Sequence, residues 1–381
     1  MAQSDSNRVK IYASKETTWG ETPSGPAVKE LRITGESLTH EKQVIASNEI
    51  RSDRMRADHT EVGRGATGDI SGELTFATFS TLFEGALMNT WTASTVAATS
   101  ATYAASVITL GGAATHSAAA LASGTWIRVS AATGTNGGLY KVAAAAASTI
   151  TITGATLSVV AGVSTNVNWN YLRNGTTETS LLIEKSFNDI TEFVWFNGME
   201  VNQMSLQAQA QQISTLVFSF VGKAGNSAST VTIGSAITSA NTNTPMNGTG
   251  NVSAITEGGS TVAAAIRSLS MTVNNNLRSQ QAIGNANPIG VGLGTCEVTG
   301  SIEVYFEDGA LYDKFRSHTS SSLSFRLTDA SNQSIVFTVP SLYFMTGTPA
   351  AGALDTDVFL TLNFAAFKDA NHSAVIQIDS V

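Results

Sequence analysis

Two stretches of the chain share one pattern, and this pattern decides the fold. Residues 68–88 read GDISGELTFATFSTLFEGALM, and residues 296–315 read CEVTGSIEVYFEDGALYDKF. At an offset of 228 residues, Ile70 aligns with Val298. Each stretch first alternates apolar and polar residues, which is typical of a strand with one buried face, and then places apolar residues four apart, which is typical of a helix on a sheet. The sequence therefore predicts a duplicated unit.

The repeat continues in both directions. SLLIEK at residues 180–185 matches SLSFRL at residues 322–327, now at an offset of 142. Because the offset falls from 228 to 142, the first copy contains 86 extra residues between its helix and its next strand. Each copy is interpreted as a strand, a long polar loop, a strand, a helix and three further strands.

The extra residues have their own composition, without Asp or Glu. SGTWIRVS, GGLYKVAA and STITITG alternate within them, which predicts a small inserted β-barrel or sandwich. Between the copies, a Ser-, Thr-, Asn- and Gly-rich linker carries Glu257-Gly-Gly-Ser, a hairpin-turn pattern. The predicted parts are an N-terminal arm, a first copy in two pieces, the insertion, the linker and a second copy: 1–27, 28–91 plus 176–223, 92–175, 224–261 and 262–381.

The composition excludes several classes of protein. Only 13% of the 381 residues are charged, against about 25% in a typical soluble domain. A net charge of −8 argues against a nucleic-acid clamp, which needs a basic surface. The insertion carries only Arg128, Lys141 and Arg173, so removing its +3 leaves −11 on the remainder. The single Cys296, the polar N-terminus and the lack of a long apolar run predict a soluble protein that folds in a reducing cytoplasm.

No residue pattern predicts catalysis, a cofactor or a metal. The five histidines are scattered and are interpreted as exposed: His40, His59, His116, His318 and His372. Cys296 is in phase with Val298, which predicts a buried strand thiol. Asp308 and Ser80 are interpreted as caps at the start of the two helices. The protein is therefore predicted not to be an enzyme.

The densest charged stretch, EIRSDRMRADHTEVGR at residues 49–64, has two interpretations. It is a solvated loop, or it is an interaction loop whose arginines and acids pair with another subunit. Its counterpart at residues 274–294 is long but carries only one charge, Arg278. The candidate contact residues are Glu49, Arg51, Asp53, Arg54, Arg56, Asp58, Arg64 and Arg278.

Several of these segments resemble the tail tube proteins, or major tail proteins, of bacteriophages with long non-contractile tails. In the first copy the resemblance lies in WGETP, LRITGESL, SNEIRSDR, GDISGEL and LFEGALM, at residues 19–23, 31–38, 47–54, 68–74 and 82–88. In the second it lies in NNNLR, GSIEVYF and LYDKF, at residues 274–278, 300–306 and 311–315. The segment from Trp126 to Val142 is similar to a small decoration domain of phage structural proteins.

The resemblance implies a mainly β (α+β) fold with two tandem β-sandwich tube domains, each flanked by one helix, beside the inserted domain. It implies a structural virion protein, assembled in the host bacterial cytoplasm, whose rings stack into the tail tube through which DNA is ejected. Long loops and the N-terminal arm would contact the next ring. Expected partners are further copies of the chain, a tape measure protein, terminator or tip proteins, and double-stranded DNA passing without sequence-specific binding, but no membrane.

Two features extend this expectation. Because each chain carries two copies, we expect three chains per ring with pseudo-sixfold symmetry. Glu73 and Glu303 face away from the core on their strands and are candidates for the channel wall. The insertion is expected on the outer wall.

Two other functions stay open at this point. The composition also suits a glycan-binding or adhesin-like surface protein, with Trp126, Tyr140 and Trp169 as an aromatic platform. A β-rich hydrolase is the least favoured, since no acid, base and nucleophile converge.

Overall fold

The computed structural model describes residues 3–111, 121–131, 136–262, 264–352 and 354–381. His116 and the first two residues of the predicted arm lie outside these ranges. The first part contains a short 3-10 helix, five strands and a helix: Ser6–Arg8, β1 Val9–Lys15, β2 Ala27–Leu31, β3 Gly35–Glu36, β4 Thr39–Ala46, β5 His59–Glu73 and α1 Ser80–Leu87. After the insertion it continues with β12 Leu181–Phe187, β13 Glu192–Gln209 and β14 Thr215–Gly222.

The insertion lies between α1 and β12. Its strands are β6 Thr92–Ala105, β7 Val107–Gly111, β8 Trp126–Ala131, β9 Gly138–Ala146, β10 Thr149–Thr153 and β11 Leu157–Arg173. They pair in the closed order β11–β6–β7–β10–β9–β8–β11. A barrel has no free sheet edge, and this one encloses a separate apolar core around Tyr103, Ile127 and Val167. The inserted β-barrel is as predicted.

The rest of the chain forms the linker and the second copy. The linker contains β15 Ala224–Gly225, β16 Ala236–Thr238, β17 Val252–Glu257 and β18 Ser260–Thr261. The second copy contains β19 Ile266–Asn274, β20 Arg278–Gln280, β21 Gly290–Gly292, β22 Glu297–Tyr305, α2 Ala310–Arg316, β23 Ser321–Thr328, β24 Ser334–Ala350, β25 Phe359–Ala366 and β26 Gln377–Ser380. The fold is mainly β, as predicted.

One sheet runs through both copies, and we call it the shared sheet. Its order is β3 and β4 beside β5, then β14, β13, β19, β22, β25 and β24. Strands β13 and β24 extend beyond this sheet. The N-terminal part of β13 pairs with β12, and the N-terminal part of β24 pairs with β23. These pairings build a second layer over each copy, and one apolar core fills the space between the layers.

Strand pairing aligns the two copies at a register different from the predicted one. Ile70 pairs with Phe218 in the first copy, and Ile302 pairs with Leu362 in the second. TLVFSF at residues 215–220 aligns with FLTLNF at residues 359–364, so Phe218 corresponds to Leu362. The offset of the strand that contains Ile70 is therefore 232 (70 to 302), not 228. Side chains alternate with a period of two, so a shift of four residues keeps every apolar residue facing the core. The sequence pattern could not distinguish the two registers.

Both helices begin differently from their predicted caps. Ser80 is the first residue of α1 and donates to the Ala77 carbonyl, while Phe79 occupies the cap position. Asp308 accepts a hydrogen bond from the Ala310 backbone at 2.9 Å, one residue before the cap residue Gly309. The cap role of Ser80 was therefore wrong, whereas Asp308 does serve the first turn of α2.

The linker is attached to the copies along its length. Glu257 pairs with Ser260 across a two-residue turn, in which Gly258 and Gly259 have φ angles of 60° and 82°. This left-handed geometry favours glycine, so the predicted hairpin turn is confirmed. β1 pairs with β12 and β17 pairs with β23, so parts of the predicted arm and linker are hydrogen-bonded into the sheets. The domain boundaries themselves stay a prediction.

Candidate assembly surfaces

The predicted interaction loop is the end of a long hairpin. The charged run was assigned to a loop, but β5 begins at His59, so only residues 47–58 connect β4 to β5. Every residue from 47 to 58 is half-buried or exposed. We call the segment 43–64 the projecting hairpin.

Only some of the predicted contact residues pair within the chain. Arg51 binds Asp53 at 2.7 Å, and Arg64 binds Glu61, which also pairs with Lys42 at 3.3 Å. Asp58 accepts the His59 amide at 2.7 Å. Among the described residues, no ion pair is formed by Glu49, Arg54 or Arg56. Three of the eight charged residues in the hairpin therefore remain available to another molecule.

Apolar side chains on the projecting hairpin were missed by the sequence analysis. Ile50 is fully exposed and Met55 is 68% exposed, and Val44, Ile45 and Val62 are also exposed. The available signal was their occurrence in a polar stretch without strand or helix periodicity. Exposed apolar side chains grouped on one element are typical of a protein-binding surface.

The counterpart loop of the second copy lies beside this hairpin. The Arg64 amide donates to the Ala286 carbonyl at 2.8 Å. Strands β20 and β21 form the base of the counterpart loop, and Ile283 at its tip is fully exposed. Arg278 is exposed and donates to the Leu293 carbonyl at 3.1 Å. The structure thus brings both predicted contact loops to one side of the molecule.

The two copies join through strands β13 and β19. Seven residue pairs connect them, from Gln203 and Asn274 to Gln209 and Ser268. Helix α1 covers this junction, with the Phe83 ring 5.9 Å from Phe218 of the first copy and 6.1 Å from Phe337 of the second. All α1 residues from Leu82 to Leu87 are buried, whereas α2 contains no buried residue.

The outer strands of the shared sheet are open. Within the described residues, β3 and β4 pair only with β5, and residues 343–350 of β24 pair only with β25. An open strand edge leaves N–H and C=O groups that a further strand can bind.

One face of the shared sheet points away from the core and is lined by small polar side chains. Ser205 Oγ lies 3.2 Å from Thr272 Oγ1 across the junction of the two copies, and Ser270 Oγ lies 2.9 Å from Ser301 Oγ. Glu73 and Glu303 lie on this face, and both are half-buried. Glu303 binds Arg267 at 3.5 Å.

The barrel contacts the second copy through a buried polar network. Three residues of β11, beginning at Tyr171, pair with β26. The buried Asp379 carboxylate accepts a hydrogen bond from the backbone N–H of Trp126 at 3.1 Å. It also accepts hydrogen bonds from the side-chain Nε2 of Gln377 at 2.9 and 2.8 Å. Burial raises the pKa of Asp379 to about 7, although Arg173 and Lys141 oppose this rise.

Two predicted side-chain environments differ in the structure. His40, His59 and His318 are exposed as predicted, but His372 is half-buried, and its ring nitrogen lies 2.6 Å from Asp369. Burial lowers the pKa of His372. Cys296 is only half-buried, just before β22, and burial raises the pKa of its thiol to about 11. A thiol with such a pKa stays protonated at neutral pH and is a weak nucleophile.

The aromatic platform suggested for glycan binding is not exposed. Trp169 and Trp126 are 2% and 9% exposed, and Tyr140 is half-buried. Packing into the barrel core and against the second copy hides these rings, so this part of the prediction was wrong. In the described ranges, no group of three His, Cys, Asp or Glu residues could hold a metal ion.

The phage tail tube protein family matches residues 6–366. The chain belongs to the phage tail tube protein family. It is therefore a structural component of the virion tail that self-assembles into a tube, and membership of this family indicates a non-enzymatic role. No curated protein matches the chain.

The family match covers the first copy, the barrel, the linker and the second copy as far as the end of β25. The open strand edges, the projecting hairpin and the polar face are therefore the candidate assembly surfaces of this chain. Neither helix in the described part of the chain is long and apolar enough to span a membrane.

Proposed function

We propose that three chains close into a ring of six tube domains, and that these rings stack into a tube that conducts DNA. The pairing of β13 with β19 is the observation that carries this proposal. It provides, within one chain, an example of how one tube domain binds the next. The two open edges of the chain are the counterparts of these strands: β3 and β4 of the first copy correspond to β19, and the end of β24 in the second copy corresponds to the end of β13.

The correspondence between copies specifies which residues meet. Thr39 pairs with Thr67 as Thr272 pairs with Thr299, so β3 and β4 correspond to β19. Ser205 pairs with Val217 as Thr348 pairs with Thr361, so the end of β24 corresponds to the end of β13. Since Ser205 pairs with Thr272 inside the chain, Thr348 of one chain is expected to pair with Thr39 of the next.

The exposure of α2 supports the same arrangement. Its counterpart α1 is buried because the second copy packs against it. Leu311, Tyr312 and Phe315 of α2 are only half-buried and would be covered in the same way by the first copy of the next chain. Burial of such side chains stabilises an interface by roughly 25 cal/mol per Å² of apolar area.

The projecting hairpin is suited to contact between rings. Its exposed apolar residues gain free energy when covered, and the unpaired Glu49, Arg54 and Arg56 can bind oppositely charged groups of the next ring. The loop around Ile283 would add a second, almost uncharged contact.

The polar face of the shared sheet is suited to line the channel. Its serine and threonine hydroxyls interact weakly with phosphate compared with lysine or arginine, and Glu73 and Glu303 repel the DNA backbone. The barrel would then lie on the outer wall, and the tube ends would bind the tape measure protein and the terminator or tip proteins. Assembly would take place in the host bacterial cytoplasm.

The mass of a dissociated ring tests the proposal. Native mass spectrometry of tubes dissociated under mild conditions should give a particle of three 39.6 kDa chains. A particle of six full chains would contradict the trimeric ring. Purified protein that forms neither rings nor tubes under any assembly condition would contradict the wider proposal.

A further inference from the structure

A cavity of about 540 Å³ lies where the barrel meets the second copy. The barrel contributes Arg128 of β8 and the start of β9, the linker strand β17 contributes Ser253, and the second copy contributes Arg326, Thr328 and Ser334. Apart from Leu139, the side chains in this lining are hydroxyls, one amide and two guanidinium groups. The tube proposal assigns no role to this cavity.

Three hydroxyl groups connect the two arginines along the cavity wall. Arg326 Nε donates to Ser253 Oγ at 2.8 Å, and Ser253 Oγ lies 2.9 Å from Thr328 Oγ1. Thr328 Oγ1 lies 2.9 Å from Ser334 Oγ, which accepts a longer bond of 3.4 Å from Arg128 Nη2.

This chain has more donors than acceptors. Both guanidinium groups can only donate, and they enter the chain from its two ends. The three hydroxyls carry three protons, but only two bonds join them, so one proton is left for another acceptor. Ser253 Oγ makes a long bond of 3.4 Å to the Arg326 carbonyl, and Ser253 is exposed, so the remaining proton is available to an acceptor from solution.

The positive charges are not neutralised by side chains. No side-chain carboxylate of a described residue lies within 4 Å of either guanidinium group. Arg128 binds the main-chain oxygens of Asn332 and, at 3.0 Å, Val381, while Arg326 lies over the Trp126 ring at 5.4 Å. Asp329 interacts with Arg128 only at longer range. Burial lowers the pKa of Arg326, and its repulsion from Arg128 lowers that pKa further.

We propose that this cavity binds a tetrahedral oxyanion, a phosphate or sulfate group, between Arg128 and Arg326. An oxyanion supplies an acceptor for the remaining hydroxyl proton and an opposite charge beside two half-buried guanidinium groups. Guanidinium groups bind such anions through paired N–H bonds. A neighbouring cavity of about 580 Å³ shares Arg128 and Asn332 and leaves space for the remainder of a larger phosphorylated molecule.

The test uses the full-length protein and two probes that separate the sources of the oxyanion. Isothermal titration calorimetry is carried out with inorganic phosphate, and separately with poly(glycerol phosphate), against sodium chloride of equal ionic strength. We expect wild-type protein to bind phosphate, and Arg326→Gln to weaken binding at least tenfold. Ser253→Ala, which removes the acceptor of Arg326, should weaken it about threefold.

The matched control is Arg316→Gln on α2, since Arg316 is exposed and does not line this cavity. It should bind phosphate within twofold of wild type, and near-ultraviolet circular dichroism should show all variants folded. Tighter binding of the polymer than of phosphate, lost in Arg326→Gln, would identify a polymer as the source. Equal binding by wild type and Arg326→Gln, or no phosphate binding beyond chloride, would overturn the proposal. Tube formation by Arg326→Gln should be normal, which separates this site from the assembly function.

Discussion

Ser205 and Thr272 meet at 3.2 Å across the junction of the two tube domains, on strands that pair as neighbours in one sheet. These residues come from different copies of the repeat, so their contact joins two tube domains within one chain, and the proposed ring repeats this contact between chains. The corresponding residues at the free edges are Thr348 and Thr39. The predictions below begin with this relationship.

Cysteines at the two free edges should form disulfides between chains. In a Cys296→Ser background, Thr39→Cys with Thr348→Cys should give covalent dimers and closed trimers on a non-reducing gel after tube assembly. Directly opposed residues of paired strands lie about 4.5–5.5 Å apart at Cα, which suits a disulfide. Thr361→Cys with Thr39→Cys is the matched control, because β25 is not at an edge. Covalent species larger than three chains would exclude the trimeric ring.

A charge on the projecting hairpin should block ring stacking without unfolding the protein. Ile50 is fully exposed, so Ile50→Asp should change the free energy of unfolding by less than about 0.5 kcal/mol. Burying the new carboxylate between rings costs several kcal/mol, so tubes seen by electron microscopy should be shortened or absent. Val159→Asp on the barrel, where Val159 is 79% exposed, should leave tubes normal. Normal tubes from Ile50→Asp would remove the hairpin from the ring contact.

Positive charge on the polar face should slow DNA ejection. Glu73→Lys and Glu303→Lys replace repulsion of the DNA backbone by attraction, repeated in every chain of the tube. We expect normal tube length and slower genome release, measured by dye fluorescence after receptor triggering. Glu21→Lys, an exposed site outside the shared sheet, should not change the rate. Unchanged release in both face variants would argue that this face does not line the channel.

Stability should fall as the pH rises through the range set by Asp379. Its folded pKa of about 7 lies above the value of 3.8 that is usual for an unperturbed Asp, so between these pH values the folded state holds a proton that the unfolded state has lost. Its contribution is therefore present below about pH 4 and is lost as the pH rises to about 7, by on the order of 1.4 kcal/mol per pH unit. Glu200, also buried with a pKa raised to about 7, acts in the same direction.

Urea unfolding of wild type, Asp379→Asn and Glu200→Gln at pH 5 and pH 8 separates the two groups. Each variant should show a smaller loss of stability between these pH values than wild type, because one proton no longer titrates. The opposing titration of His372, whose pKa burial lowers, is common to all three proteins. Equal losses in all three would show that neither carboxyl group is protonated in the folded state.

Local patterns predicted much of the fold. Apolar alternation around Ile70 and Val298 revealed the duplication, and the change of offset revealed the insertion, because strand and barrel segments carry their own periodicity. Glu257-Gly-Gly-Ser predicted its hairpin because a two-residue turn needs left-handed backbone angles that glycine adopts readily. The cap assignment of Ser80 failed, since the preceding residues also form a tight turn and the helix starts one residue early.

The sequence by itself determined the β class, the repeat, the presence of an inserted β domain and the exposed charged segment, since these depend on composition and on neighbours along the chain. Only the tertiary structure decided the register between copies, because a shift of four residues along a strand leaves every side chain on the same face. It also decided that the copies share one sheet, that two edges stay open, and that Arg128 and Arg326 face one cavity. Such relationships join residues up to about 200 positions apart (128 to 326), and only the folded backbone brings them together.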